Sequence, residues 1–267
     1  MDINTARLIG VILSDGSVDP RRYTISFTES KEVVNEIIKK FKEIEGIKLK
    51  WRTEKQSNSV RARTYSGDLI NLLFKYSPSF RNRRCNLHPK CSDGLTCKKC
   101  EPIILNGFKY PQVIIPQQIF KSNILAKNFL RYYITCDGGP IFNVYIRKNR
   151  IIQLSSGIKI GCSSLILKKQ LVKLLDLIEI KNIEVRDGIE IKKLSELKKF
   201  HKKIGFLNSS KVRRSKFVNG IKKNTIVKFS IICKARSKKS YWINSNFKTK
   251  KEFELNLRNE LLKLDKE

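Results

Sequence analysis

Two aspartates in matching surroundings are the residues best placed to do chemistry. Leu8–Gly16 reads LIGVILSDG and Leu130–Gly138 reads LRYYITCDG. Each is an apolar run that closes on Asp-Gly, and Asp15 and Asp137 stand 122 positions apart. Carboxylates are hard oxygen ligands, and two of them brought together could hold divalent cations that activate water. Singly, an Asp-Gly pair is also a common turn and need do no more than end a helix. Small residues near these ends, Gly10, Ser14 and Cys136, would let two such helices approach closely.

A second cluster is soft rather than hard. Cys85, His88, Cys91, Cys97 and Cys100 fall within sixteen residues, and Cys97-x2-Cys100 has knuckle spacing. Four thiolates, Cys85, Cys91, Cys97 and Cys100, would close a structural Zn²⁺ site, with His88 as an alternative ligand. The Cys85-to-Cys91 spacing is longer than the usual pair, so disulfides or free thiols stay open as alternatives. Cys136, Cys162 and Cys233 have no partner spacing and read as packed thiols.

The cations point to a partner. Lys and Arg total 56 against 24 Asp and Glu, a formal charge of +32. Self-repulsion on that scale opposes compaction unless a polyanion neutralises it, so nucleic acid is the first partner to consider. A merely solvated lysine-rich surface would mix acids among the bases. From Leu197 to Lys251, eighteen Lys and Arg occur with no Asp or Glu.

Alternation sharpens this. A strand over Ile47–Arg52 is expected to put Lys48, Lys50 and Arg52 on one face, and Val60–Thr64 to add Arg61 and Arg63. Five cations on one sheet face are unfavourable unless phosphates or base edges lie over them. Arg21 and Arg22 precede a strand in which Thr24 and Ser26 alternate with apolar residues. Later, Asn143, Tyr145 and Arg147 oppose Phe142, Val144 and Ile146, with Gln153 and Lys159 on the neighbouring strand. Lys211, Arg213 and Arg214 open the acid-free tail. All are candidate contacts to double-stranded DNA, where Arg pairs with guanine and Asn or Gln with adenine. A solvated basic strand face is the plain alternative.

The elements that must carry these residues form one pattern twice. An apolar helix over Ile3–Leu13 precedes a strand at Tyr23–Thr28, with room for a short strand around Val18. Ser30 caps a helix with apolar positions from Val33 to Ile44, which Gly46 is expected to stop. The hairpin Lys48–Arg52 and Val60–Thr64 turns across Gln56-Ser57-Asn58, and a short helix runs from Ser66 to Tyr76. The second pass has a helix over Leu125–Cys136, a hairpin of Phe142–Arg147 with Ile151–Ile160, and a helix capped by Ser163 or Ser164. A hairpin over Ile183–Lys192 turning at Asp187-Gly188 follows, then a helix over Ser195–Ile204 with Gly205 at its end. Four units result: residues 1–77, a Cys-rich insertion at 78–116, residues 117–207, and a basic extension at 208–267. Thr249-Lys250-Lys251-Glu252 opens a terminal helix with a capping box, which is expected to clamp part of that extension onto the second unit.

The two Asp-Gly segments resemble the nine-residue signature of the LAGLIDADG homing endonucleases. The resemblance extends to Gly205, and Gly139-Pro140 after the second copy is similar to archaeal members. It implies an α+β fold of two pseudo-repeated αββαββα subdomains with saddle-shaped antiparallel sheets on DNA, in a monomer with internal pseudo-two-fold symmetry. It implies a Mg²⁺-dependent, site-specific double-strand endonuclease of the intron-homing type, with Asp15 and Asp137 as catalytic acids and Gly16 and Gly138 beside them at the metal. Two departures stand out. Tyr132 occupies a motif position where Gly10 has the usual small residue. Thr28-Glu29 ends a strand where relatives often carry Gln or Lys. The rival readings are a maturase of the same fold that binds intron RNA, and a DNA-binding regulator that does not cut.

No secretory leader and no run of ~20 apolar residues is evident, so no membrane is expected as a partner. With an odd number of cysteines, an intracellular, cytoplasmic protein is the expectation.

Overall fold

The computed structural model describes residues 1–78, 80, 103–105, 108–110, 113–146, 152–162, 164–213, 215, 217–236 and 249–266. α1 (Ile3–Asp15) begins where the Asp2 carboxylate accepts from the Thr5 amide, and it runs straight into β1 (Gly16–Asp19). A 3-10 turn at Pro20–Arg22 leads to β2 (Thr24–Glu29), and Ser30 caps α2 (Lys31–Lys40). A small hairpin, β3 (Glu43–Ile44) and β4 (Ile47–Lys48), precedes β5 (Arg52–Lys55), β6 (Val60–Tyr65) and α3 (Gly67–Tyr76). β7 (Ile103–Leu105) pairs with β8 (Phe108–Tyr110), and α4 (Gln117–Phe120) is a short helix.

The pattern then repeats. α5 (Asn123–Asp137) runs into β9 (Gly138–Ile146), followed by β10 (Ile152–Gly161), α6 (Leu165–Leu177), β11 (Ile183–Val185), β12 (Gly188–Ile191) and α7 (Leu194–Lys203). The first sheet has the antiparallel order β1-β2-β6-β5 and the second β9-β10-β12-β11, the same topology. Apart from the small hairpin, each unit is αββαββα, as the motif resemblance implies.

α1 and α5 pack against each other at the centre of the core. Ala6, Leu8, Ile9 and Leu13 of α1, and Ala126, Phe129, Leu130 and Tyr133 of α5, are all without solvent exposure. The approach depends on Gly10: a Cβ there would lie 2.5 Å from the Phe129 carbonyl oxygen. Tyr132, the large residue at the matching motif position, turns instead to Phe41 and lies under the Arg7 guanidinium. The two helices therefore meet through a small residue on one side only.

Three expectations are corrected. The helix after Ser30 ends at Lys40, not Gly46. Glu45 and Gly46 both take positive φ and form the tight turn between β3 and β4. Ile47–Arg52 is consequently not one strand. Lys48 pairs with Glu43 in the small hairpin, and Trp51 turns inward to donate from Nε1 to the Phe41 carbonyl at 2.7 Å. The later two-residue turn is Arg186-Asp187, because Gly188 already pairs with Val185.

The acid-free segment contributes α8 (Lys223–Arg236), and α9 (Lys250–Lys266) follows. Ile221, Ile226 and Phe229, with Phe253, Leu257 and Leu261 of α9, form a second core on Phe142, Val144 and Leu154 of β9 and β10. The Glu252 amide donates to Thr249 Oγ1, as a capping box requires. No helix among the described residues is long and apolar enough to cross a membrane.

Candidate active site at the paired helix ends

Because α1 and α5 pack side by side and both end at the sheets, Asp15 and Asp137 are brought to one place. Asp15 is open to solvent from the groove in front of it, Asp137 is half-buried, and protein crowds both from behind. The carboxyl of Asp15 is pushed up to about 7, by burial first and then by the charges of Asp137 and Glu29; Lys223 and Arg213 oppose the shift. Asp137 is pushed up to about 6 by burial and Glu29, with Lys223 acting in the opposite sense. A glycine allows the close fit: a Cβ on Gly161 would stand 2.8 Å from the Asp137 carbonyl oxygen and 3.3 Å from Oδ1.

Two grooves meet at Asp15. One, of about 780 Å³, lies between the units and is lined by Asp15, Glu29, Gly138, Lys211, Arg213 and Lys223, among others. The other, of about 470 Å³, lies over the open face of the first sheet and is lined by Asp15, Arg22, Thr24, Ser26, Arg61 and Arg63. Strand register explains the second groove. Ser26 stands opposite Arg63, Thr28 opposite Arg61, and Arg52 opposite Arg63, so these residues share the face away from Ile25, Phe27 and Ala62. Arg63 is held by Glu54 at 3.2 Å and contacts the Tyr65 hydroxyl, while the Arg52 guanidinium lies over the Tyr65 ring. Arg21 sits in the exposed 3-10 turn at the rim.

The expected row of five cations is thus three, Arg52, Arg61 and Arg63. Lys48 and Lys50 line a different hollow, with Ile38 and Trp51. On the second sheet Asn143 and Tyr145 are exposed on the open face, and Gln153 stands opposite Tyr145 in register. Lys159 pairs with Asp187. Arg147, Arg214 and the cluster of Cys85, His88, Cys91, Cys97 and Cys100 lie outside the described residues, and among the described residues no His, Cys, Asp and Glu group forms a metal cluster.

Two residues in the groove escaped the sequence reading as site groups. Glu29, noted only as a departure, accepts from the Ser30 amide and pairs with Arg213, both at 2.8 Å. Lys223 donates to the carbonyls of Thr135 at 2.7 Å and Gly138 at 2.6 Å, which places an ammonium beside both aspartates. Burial and Arg213 pull its own pKa down. Glu29 could have been found from its place at a strand end; nothing in the sequence separates Lys223 from the other lysines around it. Segment 209–213 also links the units, since Ser209 donates from its amide and hydroxyl to Glu36 at 3.0 and 2.6 Å. Cys136 lines the groove, and burial raises its thiol above the ordinary range, which disfavours the thiolate form.

Two helices ending side by side in aspartates, each entering an identically ordered four-stranded antiparallel sheet, define the LAGLIDADG fold. No sequence family and no curated protein matches the chain. Among solved structures, the LAGLIDADG meganuclease I-AabMI bound to uncleaved DNA is similar over 98% of both chains, at 12% identity and a TM-score of 0.52. A point mutant of meganuclease I-SmaMI is similar over 98% of each chain, at 12% identity and a TM-score of 0.51. I-SmaMI bound to uncleaveable DNA with a TTGT central four matches over 98% of this chain and 97% of that one, at 12% identity and 0.50. The motif resemblance therefore holds at the level of the fold.

Proposed function

We propose that the protein is a site-specific endonuclease that binds double-stranded DNA across its two open sheet faces and hydrolyses both strands at the paired aspartates. The observation that carries this reading is the juxtaposition of Asp137 with Asp15, which lies where two grooves meet, one of them lined by Arg22, Arg61 and Arg63. That the similar I-AabMI and I-SmaMI structures are complexes with DNA supports the same partner.

The donor set fits a divalent cation. Two carboxylates whose ionisation is held back by burial and by neighbouring negative charge are relieved when a cation sits between them. Asp15 and Asp137 would hold it, beside the backbone of Gly16 and Gly138, with Mg²⁺ the natural occupant of an all-oxygen site. Bound there, such an ion supplies an activated water and neutralises charge on the phosphoryl oxygens. The chain supplies the rest. Lys223 sets a fixed positive charge beside the pair, where negative charge grows as the phosphorus is attacked. Arg61 and Arg63 hold the duplex in register on the first sheet, and Asn143 and Tyr145 face it from the second. Lys211 and Arg213 add cations at the edge of the central groove.

The test is cleavage of a randomised duplex library with Mg²⁺, followed by sequencing of the ends, for the wild type and for Asp15→Asn with Asp137→Asn. Recurrent ends that vanish in the double variant support the reading. Duplex binding without any cleavage would make the protein a regulator, and preferential binding of structured RNA would make it a maturase.

A further inference from the structure

Lys222 and the first three residues of α8 link α9 to the end of α5 and to the segment at Phe206. The Lys222 amide donates to Asp265 Oδ1 at 3.2 Å, and its ammonium donates to the Asp265 carbonyl at 3.0 Å. Lys223 reaches the carbonyls of Thr135 and Gly138. Asn224 clasps the Phe206 backbone, accepting from its amide and donating to its carbonyl. Thr225 donates its hydroxyl to Asp265 Oδ1 at 2.5 Å.

The first amides of a helix have no partner within it, and the helix dipole favours an anion there. Ordinarily a neighbouring Ser, Thr, Asp or Asn meets both needs. Here an aspartate from the last turn of α9, about forty residues downstream, stands at that place: it accepts from the amide of Lys222, the residue just before α8, and from the Thr225 hydroxyl in its first turn. A lysine has a long, freely rotating stem, so its ammonium holds one position only when its backbone is fixed and its head is bound. Asp265 holds Lys222, the residue before Lys223, and Thr225, two residues after it. Ser210 holds the Lys223 amide from the other direction, so losing Asp265 loosens this turn without releasing it.

We propose that Asp265 is a positioning residue for Lys223: the terminal helix α9 caps α8 from a distance and so sets the ammonium against the end of α5. Its consequence for cleavage rests on the nuclease reading; the positioning itself does not.

Two measurements on the full-length protein test it. In limiting acetylation by acetic anhydride, read residue by residue by mass spectrometry, Lys223 should react several-fold faster in Asp265→Ala. In Asp265→Asn, which keeps an acceptor, its rate should stay close to wild type, while Lys168 and Lys199 are unchanged in both. Thr225→Val removes one donor to Asp265 and should give an intermediate rate, which covers the case of a poorly folded Asp265→Ala. Unchanged Lys223 reactivity in Asp265→Ala and Thr225→Val overturns the proposal, whether or not the protein cuts DNA. In single-turnover cleavage, Asp265→Ala should slow the chemical step about three- to tenfold at unchanged DNA affinity, and should add nothing in a Lys223→Met background. An equal loss in that background would make Asp265 merely structural and overturn the proposal too.

Discussion

The ammonium of Lys223 lies 2.6 Å from the carbonyl oxygen of Gly138, the residue that follows Asp137. A side chain of the C-terminal extension thus completes the surroundings of a carboxylate pair built by two other elements, and each member of the set can be tested separately.

Replacing Asp15 or Asp137 by Asn removes one carboxylate from the proposed cation site and leaves the basic sheet faces intact. Each substitution should lower the cleavage rate at least ~100-fold while changing DNA affinity little. Gel-shift titration alongside single-turnover cleavage separates the two effects, and wild-type cleavage by the double variant would remove these residues from the site.

The pH dependence follows from the same pair. With carboxyls pushed up to about 7 and about 6, the folded protein binds more protons than the unfolded chain from the ordinary carboxyl range upward. These two groups should therefore lower stability as pH rises from ~4 to ~7, with a plateau above. Both are reached by solvent, which reduces the effect to about 1 kcal/mol, or a few degrees in Tm. Melting curves without metal should show this fall in the wild type and less of it in the two Asn variants. Mg²⁺ should raise Tm at pH ~7.5 and not at pH ~5, where both carboxyls hold their protons.

Gly10→Val should damage the fold rather than the chemistry. Its side chain would meet the Phe129 backbone, which cannot move without shifting α5. A destabilisation of about 1–3 kcal/mol or more is expected from overpacking. Denaturant unfolding that leaves the midpoint unchanged would show that the helices separate freely.

Arg61→Ala and Arg63→Ala should weaken DNA binding, and a guanine contact would lose about 1–3 kcal/mol of discrimination at one base pair. A substitution that removes only a phosphate contact would weaken all sequences alike and lower the salt slope by ~1. Lys48→Ala and Lys50→Ala should have less effect, because their hollow is separate from the groove at Asp15.

We also propose that Cys85, Cys91, Cys97 and Cys100 hold one Zn²⁺. Metal analysis of the purified protein should then find about one zinc per chain, lost in mild acid as the thiolates protonate. A disulfide at Cys97, found by mass spectrometry in zinc-free protein, would decide against it.

Truncation would do more than remove cations. Removing residues from Asn208 onward takes away α8 and α9, uncovers Phe142, Val144 and Leu154, and deletes Lys223. Its effect would extend beyond the loss of nonspecific DNA affinity expected from charge alone, so point substitutions of Lys211 and Arg213 are the cleaner probe.

The paired helices, their aspartates and the repeated hairpins were legible in the sequence, because hydrophobic periodicity and Asp-Gly endings are local signals. The open faces were legible from Arg61 and Arg63, where alternation is regular. Local signals failed at Lys48 and Lys50: a turn at Glu45-Gly46 and the inward docking of Trp51 onto Phe41 broke the strand that alternation had implied. Only tertiary structure decided which cations stand beside the aspartates. Lys223 lies 86 residues beyond Asp137, and its role depends on α8 packing over β9 and β10, on Asp265 at its helix start and on carbonyls left free where α5 ends. Those constraints are distances between separate elements, and a one-dimensional pattern of residue types does not contain them.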